Sequence, residues 1–392
     1  MNATALSLHS VRALADCLRG HGWDAAEAAS AASGLGPLAV HLQGLEPSAR
    51  EALLRFTSAH GLDFLSGSEW ALVAGSRSRL AALARPSQVG GELVAVAVAV
   101  ADALPALPSL GWRTPHGVIP LDRPLLVGIL NLTPDSFSDG DRLRTVEDAL
   151  RQAERLVADG AGMLDLGGES TRPGREAEVP AEEEIRRILP VIERLTRELP
   201  AIPLAVDTVK ATVADVALSA GAAVVNDVAT LRLDAAMPAV VARHRAGLVI
   251  MHSRGPNLRL SSYDNVDYGD DLVGTVIAEL RQAITIAERA GVASDAIVVD
   301  PGLGFAKTPA QSLQLLDQLG ALACLGRPIY VGPSRKRFLG EVSGRPVEER
   351  DELTAVACAL AVERGAQILR IHEVRAVRDA VALAVAIHSG IS

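Results

Sequence analysis

Val127–Gly140 reads VGILNLTPDSFSDG. It opens as a continuous apolar run, the signature of a strand buried on both faces in a parallel sheet. The run stops at Asn131, and a loop rich in Pro, Ser, Asp and Gly follows. The same pattern, apolar strand, then polar residue, then loop, returns down the chain. It is seen in LDLGGESTRPG with Asp165, LAVDT with Asp207, VVND with Asn226 and VIMH with His252. It continues in IVVDPGLGF with Asp300, IYVGPSRK with Ser334 and LRIH with His372. Helical patterns such as Thr145–Gly160 and Asp270–Gly291 lie between them. Eight strand–helix units over roughly 270 residues predict an α/β fold, a (β/α)8 TIM barrel, in which C-terminal strand ends converge on one mouth. The polar strand ends are therefore read as one site.

The first 115 residues differ in character. All three tryptophans (Trp23, Trp70, Trp112) fall here, and the strand-end pattern is missing. Helical spacing covers Leu6–Leu18 and Pro47–His60, and Pro37–Leu42 and Glu69–Ala74 suit short strands. Gln88–Leu104 alternates Val and Ala, which fits either period; its length favours a helix. The domain plan is thus a small α/β subdomain over residues 1–115, without a nameable site, and a barrel over 116–392. A turn at Pro115–Gly117 suggests a hairpin closing the bottom of that barrel.

A net charge of -9 argues against a nucleic-acid or membrane-surface partner. An anionic substrate must then be held by local cations or a metal. Cys17, Cys324 and Cys358 form no zinc or disulfide spacing. With no signal-peptide pattern and no apolar run near the ~20 residues of a membrane span, the expected location is the cytoplasm. Only three lysines stand among 38 basic residues: Lys210, Lys307 and Lys336. Where arginine is the default base, a retained lysine suggests a place that needs a compact ammonium.

Asn131, Asp165, Asp207, Asn226 and Asp300 offer acceptors, and the amides also donate. Held within barrel walls they suit a flat heterocycle whose polar edges must be matched on burial. One such residue could simply cap the next helix; five at one edge are better read as a site. Arg172, Lys336, Arg370 and His372 supply cations, the last three beside the loops where barrels often bind phosphate. An Arg fork with a His suits diphosphate, and an Asn or Asp could hold a Mg²⁺ sharing its oxygens.

Taken together, NLTPDSFSDG, DLGGESTRPG, VDT, NDV, DPGLGFAKT, SRK and RIH resemble dihydropteroate synthase, the pterin-binding barrel of folate biosynthesis, from about Leu125 to the C-terminus. The resemblance implies that 4-aminobenzoate is joined to the methylene of 6-hydroxymethyl-7,8-dihydropterin diphosphate, releasing diphosphate. It implies a pterin site of Asp207, Asn226, Val228, Met251, Asp300, Phe305 and Lys336. Asn131, Arg172, Arg370 and His372 would bind diphosphate, with Asn131 also on Mg²⁺. Phe137, Thr171, Pro173 and Phe305 would form the aminobenzoate pocket, with Ser334 near its carboxylate end. The family often has Ser after the SRK lysine; here that residue is Arg337. Lys336, Arg370 and His372 would act in catalysis, with Asp139 of the first loop stabilising a pterin cation. A homodimer through barrel helices is expected. The competing readings are a methyltetrahydrofolate-dependent methyltransferase and a catalytically idle pterin-binding paralogue.

Overall fold

The computed structural model describes residues 2–7, 18–24, 27–28, 38–75, 80, 82–85, 89–103, 111–132, 146–169, 177–257 and 260–389. The expected first loop, with Phe137 and Asp139, and the Thr171, Arg172 and Pro173 stretch lie outside the described residues. The chain divides into two compact units: 1–108 with 268–277 and 317–326, and 109–267 with 278–316 and 327–392.

In the first unit, β1 (Asn2–Ser7), β2 (Leu38–Gln43), β3 (Asp63–Ser66) and β4 (Trp70–Gly75) form an antiparallel sheet in the order β1-β2-β4-β3. Alternation along β2 and β4 sorts their side chains to two buried faces. Val40, Leu42, Ala71 and Val73 pack with residues of α1 (Pro47–His60) and α2 (Val94–Ala103), while Ala39, Leu72 and Ala74 turn toward Leu18 and Ala28. The α1 bounds match the helical spacing of the sequence, and the helix ends at Gly61 in the left-handed conformation. The helix expected from Leu6 is corrected at its start, because Leu6 and Ser7 pair with Ala39 and Leu38 in the sheet. Pairing with a distant strand has overridden local spacing there.

The second unit opens with a hairpin of β5 (Gly111–Thr114) and β6 (Gly117–Pro120), as the turn signal suggested. Eight parallel strands then close a barrel: β7 (Leu125–Asn131), β8 (Met163–Gly167), β9 (Leu204–Asp207), β10 (Val224–Asp227), β11 (Gly247–Met251), β12 (Ile297–Asp300), β13 (Ile329–Val331) and β14 (Ala366–Ile371). Closure is made by β14 against β7, Arg370 pairing with Val127. Between the strands lie α3 (Val146–Ala158), α4 (Ala181–Glu198), α5 (Ala211–Ser219), α6 (Met237–His244), α7 (Leu272–Arg289) and α8 (Pro309–Asp317). After β13 come α9 (Arg337–Ser343) and α10 (Asp351–Glu363), and α11 (Val374–Ser389) follows β14.

The lower barrel is filled by Val127, Met163, Ala205, Val249, Val298, Tyr330 and Ile368, with Trp112 of the hairpin among them. The Trp112 indole has no exposed surface and donates to the Ala296 carbonyl at 2.8 Å. A buried indole is tolerated only where its N–H finds an acceptor. The hairpin therefore plugs the N-terminal end of the barrel and leaves the opposite end for the site.

Candidate active site

Strand geometry brings the polar residues together. Asp207 and Asp300 are the last residues of β9 and β12, Asn226 is the penultimate residue of β10, and Arg370 that of β14. His372 follows β14 directly, and Ser334 and Lys336 sit in the turn after β13. Because the strands are parallel and in register, all of these face one mouth. They line one cleft with Val228, Met251 and Phe305. The sequence-predicted pterin residues and two of the predicted phosphate ligands, Arg370 and His372, thus share one cavity.

One wall is polar. Arg370 donates through Nε to Asp165 Oδ2 at 2.5 Å and through Nη2 to Asp207 Oδ2 at 2.8 Å. Asn226 Nδ2 donates to the same Asp165 oxygen at 3.0 Å. Burial disfavours the Arg370 charge, but the two carboxylates outweigh it and raise its pKa. Burial also pushes Asp207 up to about 7, against the opposing pull of Arg370. Asp300 is pushed up to about 6 by burial, although it accepts the Gly302 N–H at 2.6 Å. Burial drives Lys336 down to about 7, with Asp300 opposing. These groups are poised to change protonation when a polar ligand edge replaces water.

The other wall is apolar: Val228, Ala229, Met251 and Phe305 pack with Val209 and Leu260. Lys336 Nζ stands 3.8 Å from the centre of the Phe305 ring, a cation–π contact. The loop carrying Phe305 is tightly wound. Gly302 has φ 69°, and a Cβ there would come within 1.9 Å of the His252 carbonyl oxygen, so only glycine fits.

Within the cleft lining, Ser334 Oγ lies 2.9 Å from His372 Nδ1 and accepts the His372 N–H at 3.1 Å. Asn131 ends β7 half-buried, with its Oδ1 3.6 Å from where a Cβ on Gly167 would stand. Arg337 points away into solvent, its guanidinium 4.8 Å from the Tyr263 ring and its Nε 3.3 Å from Glu341 Oε1. At the base of the second loop, Lys210 bridges Glu169 and the buried Glu184. That pairing accounts for one of the retained lysines.

Sequence reasoning did not place Ile129, Leu303 and Gly332 in the cleft, yet they line it. Period-two alternation along β7 from Val127 could have pointed to Ile129; nothing local marks Leu303. The role of Asp165 as anchor of Arg370, across 205 residues of chain, had no sequence signal. Among the described residues no cluster of three or more His, Cys, Asp or Glu side chains could hold a metal ion by itself.

Residues 127–372 match the family of pterin binding enzymes. The dihydropteroate synthase of Bacillus subtilis is 42% identical over 254 residues, covering 65% of this chain and 85% of that protein. That of Mycobacterium leprae is 42% identical over 272 residues, covering 68% and 94%. Among solved structures, Xanthomonas albilineans dihydropteroate synthase with 4-aminobenzoic acid superposes with a TM-score of 0.66 at 42% identity, covering 72% of this chain and all of that one. The same enzyme in complex with 7,8-dihydropteroate gives 0.62 at 38% identity, with the same coverage of both chains. With its barrel, its cleft and these relatives in agreement, the chain belongs to the dihydropteroate synthases, pterin-binding TIM-barrel transferases of folate biosynthesis.

Proposed function

We propose that the cleft works as follows, the carrying observation being the single cavity that joins Asp207, Asn226, Asp300, Lys336, Arg370 and His372. The pterin of 6-hydroxymethyl-7,8-dihydropterin diphosphate lies against Val228 and Met251, its N–H edge on Asp207, Asn226 and Asp300. Lys336 leaves the Phe305 ring to donate to the pterin's acceptor atoms. Arg370 and His372 face the diphosphate, joined by Asn131 and by Arg172 from the second loop. The bond between the methylene carbon and the diphosphate oxygen breaks, its electron pair leaving with diphosphate. The conjugated pterin spreads the cation, and the aminobenzoate nitrogen attacks the methylene and then releases a proton to solvent. Cations fixed where charge grows on the leaving group are the main source of rate.

Ser334, by engaging His372 Nδ1, fixes the orientation of the imidazole that faces the diphosphate. The aminobenzoate-binding role is assigned to Phe305 with Phe137, Thr171 and Pro173, and stabilisation of the cation to the carboxylate of Asp139. The side-chain oxygen of Asn131 would hold a Mg²⁺ completed by substrate oxygens and water. When bound, Mg²⁺ would neutralise charge on diphosphate. The chain's own contribution is to orient that oxygen and to exclude water.

A homodimer is proposed through α10 and α11, which pack together and expose Val356, Leu360, Leu383 and Ile387. No described helix is long and apolar enough to cross a membrane, and a cytoplasmic location is proposed. The test of function is a purified assay with Mg²⁺, the pterin diphosphate and 4-aminobenzoate. Formation of dihydropteroate with stoichiometric diphosphate supports the reading; pterin binding without diphosphate release indicates an idle paralogue.

A further inference from the structure

Lys307 takes no part in the mechanism above, yet it is the most deeply placed of the three lysines, with no exposed surface. Its Nζ stands 2.9 Å from His252 Nδ1, 3.0 Å from the Phe305 carbonyl oxygen and 3.4 Å from the His252 carbonyl oxygen. Three acceptors match the three N–H donors of an ammonium. With Nδ1 accepting, His252 carries its proton on Nε2 and donates it to Glu279 Oε2 at 2.9 Å. Arg254 holds the same carboxylate. Burial lowers the Lys307 pKa to about 7, opposed by Asp300 and Glu279 and reinforced by Arg254 and Lys336. His252 is pushed down to about 3 by burial and by Lys307, so the imidazole is neutral, as the chain of donors requires.

This relay ties together the loops after β11 and β12. His252 N–H donates to the Asp300 carbonyl at 2.8 Å, and Gly302 packs its Cα against the His252 carbonyl. Between Phe305 and Lys307, Ala306 has φ 48°, a conformation a non-glycine residue keeps only where surrounding contacts impose it. The grip of Lys307 on the Phe305 carbonyl is such a contact. Phe305 is the ring beneath Lys336.

We propose that Lys307 is a positioning residue for the aminobenzoate half of the site: its buried ammonium, held by His252 and Glu279, grips the Phe305 backbone and sets the ring on which the aminobenzoate packs. The claim rests on the dihydropteroate synthase reading of the cleft. It explains why a lysine persists here in an arginine-rich chain, since a planar fork does not match three acceptors gathered around one nitrogen.

The experiment compares full-length wild type, Lys307→Met, Phe305→Ala and the double variant in steady-state kinetics with both substrates varied. Methionine keeps an unbranched stem and removes the donors. The expected result for Lys307→Met is an aminobenzoate KM raised about tenfold with the pterin diphosphate KM within about twofold. In the Phe305→Ala background the same substitution should add less than about twofold, since the ring it positions is gone. Equal rises in both KM values, or full additivity with Phe305→Ala, would overturn the proposal and leave Lys307 a general structural group. If Lys307→Met does not fold, the part-exposed Glu279→Gln tests the same relay: a selective rise in aminobenzoate KM that vanishes with Phe305→Ala supports it, and an unchanged KM overturns it. A wild-type chain that forms no dihydropteroate would overturn the reading of the cleft first, and the positioning role with it.

Discussion

Arg370 Nη2 lies 2.8 Å from Asp207 Oδ2, though 163 residues separate them in the chain. The contact ties the proposed diphosphate side of the cleft to its pterin side. Removing the guanidinium would take away the cation facing the leaving group and leave the buried Asp165 and Asp207 without the ion pair it gives them. Arg370→Ala is expected to lower kcat by about 10²–10³-fold, and Lys336→Ala by a similar factor. Diphosphate release under saturating substrates measures both; near-normal turnover in either would remove that residue from the mechanism.

Ligand binding should release protons. Asp207, pushed by burial up to about 7, and Asp300, pushed up to about 6, are partly protonated at pH 6 in the free protein. A pterin edge donating N–H groups favours their ionised forms and lowers both pKa values. Net proton release is expected on binding at pH 6. Calorimetry in two buffers of different ionisation enthalpy reads it directly, and uptake or no exchange would contradict this placement of the pterin.

The N-terminal unit carries its own pH dependence. His21 Nε2 and His41 Nε2 are 2.8 Å apart, and the His21 ring stacks on Trp70 at 4.2 Å. Burial, with His21 adding, lowers His41 to about 4; burial also lowers His21, with Asp270 opposing. A depressed folded pKa means stability present above the unfolded value near 6.5 and lost as pH falls toward 4. A loss on the order of 2–3 kcal/mol is expected across that window. Urea midpoints from tryptophan emission at successive pH values test it; a His41→Leu variant should show a flatter profile.

Trp112→Ala should destabilise the barrel by about 3–5 kcal/mol, combining a large cavity with an orphaned Ala296 carbonyl. Chemical denaturation measures the loss. A change under about 1 kcal/mol would mean that the hairpin is not part of the cooperative core.

Gly302→Ala forces a Cβ against the His252 carbonyl at a backbone angle alanine resists. A cost of at least ~2 kcal/mol is expected, with substrate KM values raised, because the shifted loop carries Phe305. Thermal unfolding alongside kinetics separates the two effects.

The barrel and much of its mouth were legible in the sequence for a physical reason. A strand buried on both faces must be apolar until it ends, so the first polar residue marks the mouth, as Asn131, Asp207 and Asp300 do. Side chains whose roles depend on a neighbour in space carried no such mark. Asp165 looks like any strand acceptor until Arg370 is set on it, and the hydrogen bond of Ser334 to His372 has no mark in the sequence. Lys307 stood out only as a rare lysine; its burial on His252 was set by the packing of two loops 55 residues apart. The strand at Asn2–Ser7 was decided by a ladder to Leu38–Gln43 that local periodicity could not show. Strand burial is written residue by residue along the chain, whereas ion pairs, hydrogen-bond partners and sheet neighbours exist only once closure of the fold has brought distant segments within a few ångströms.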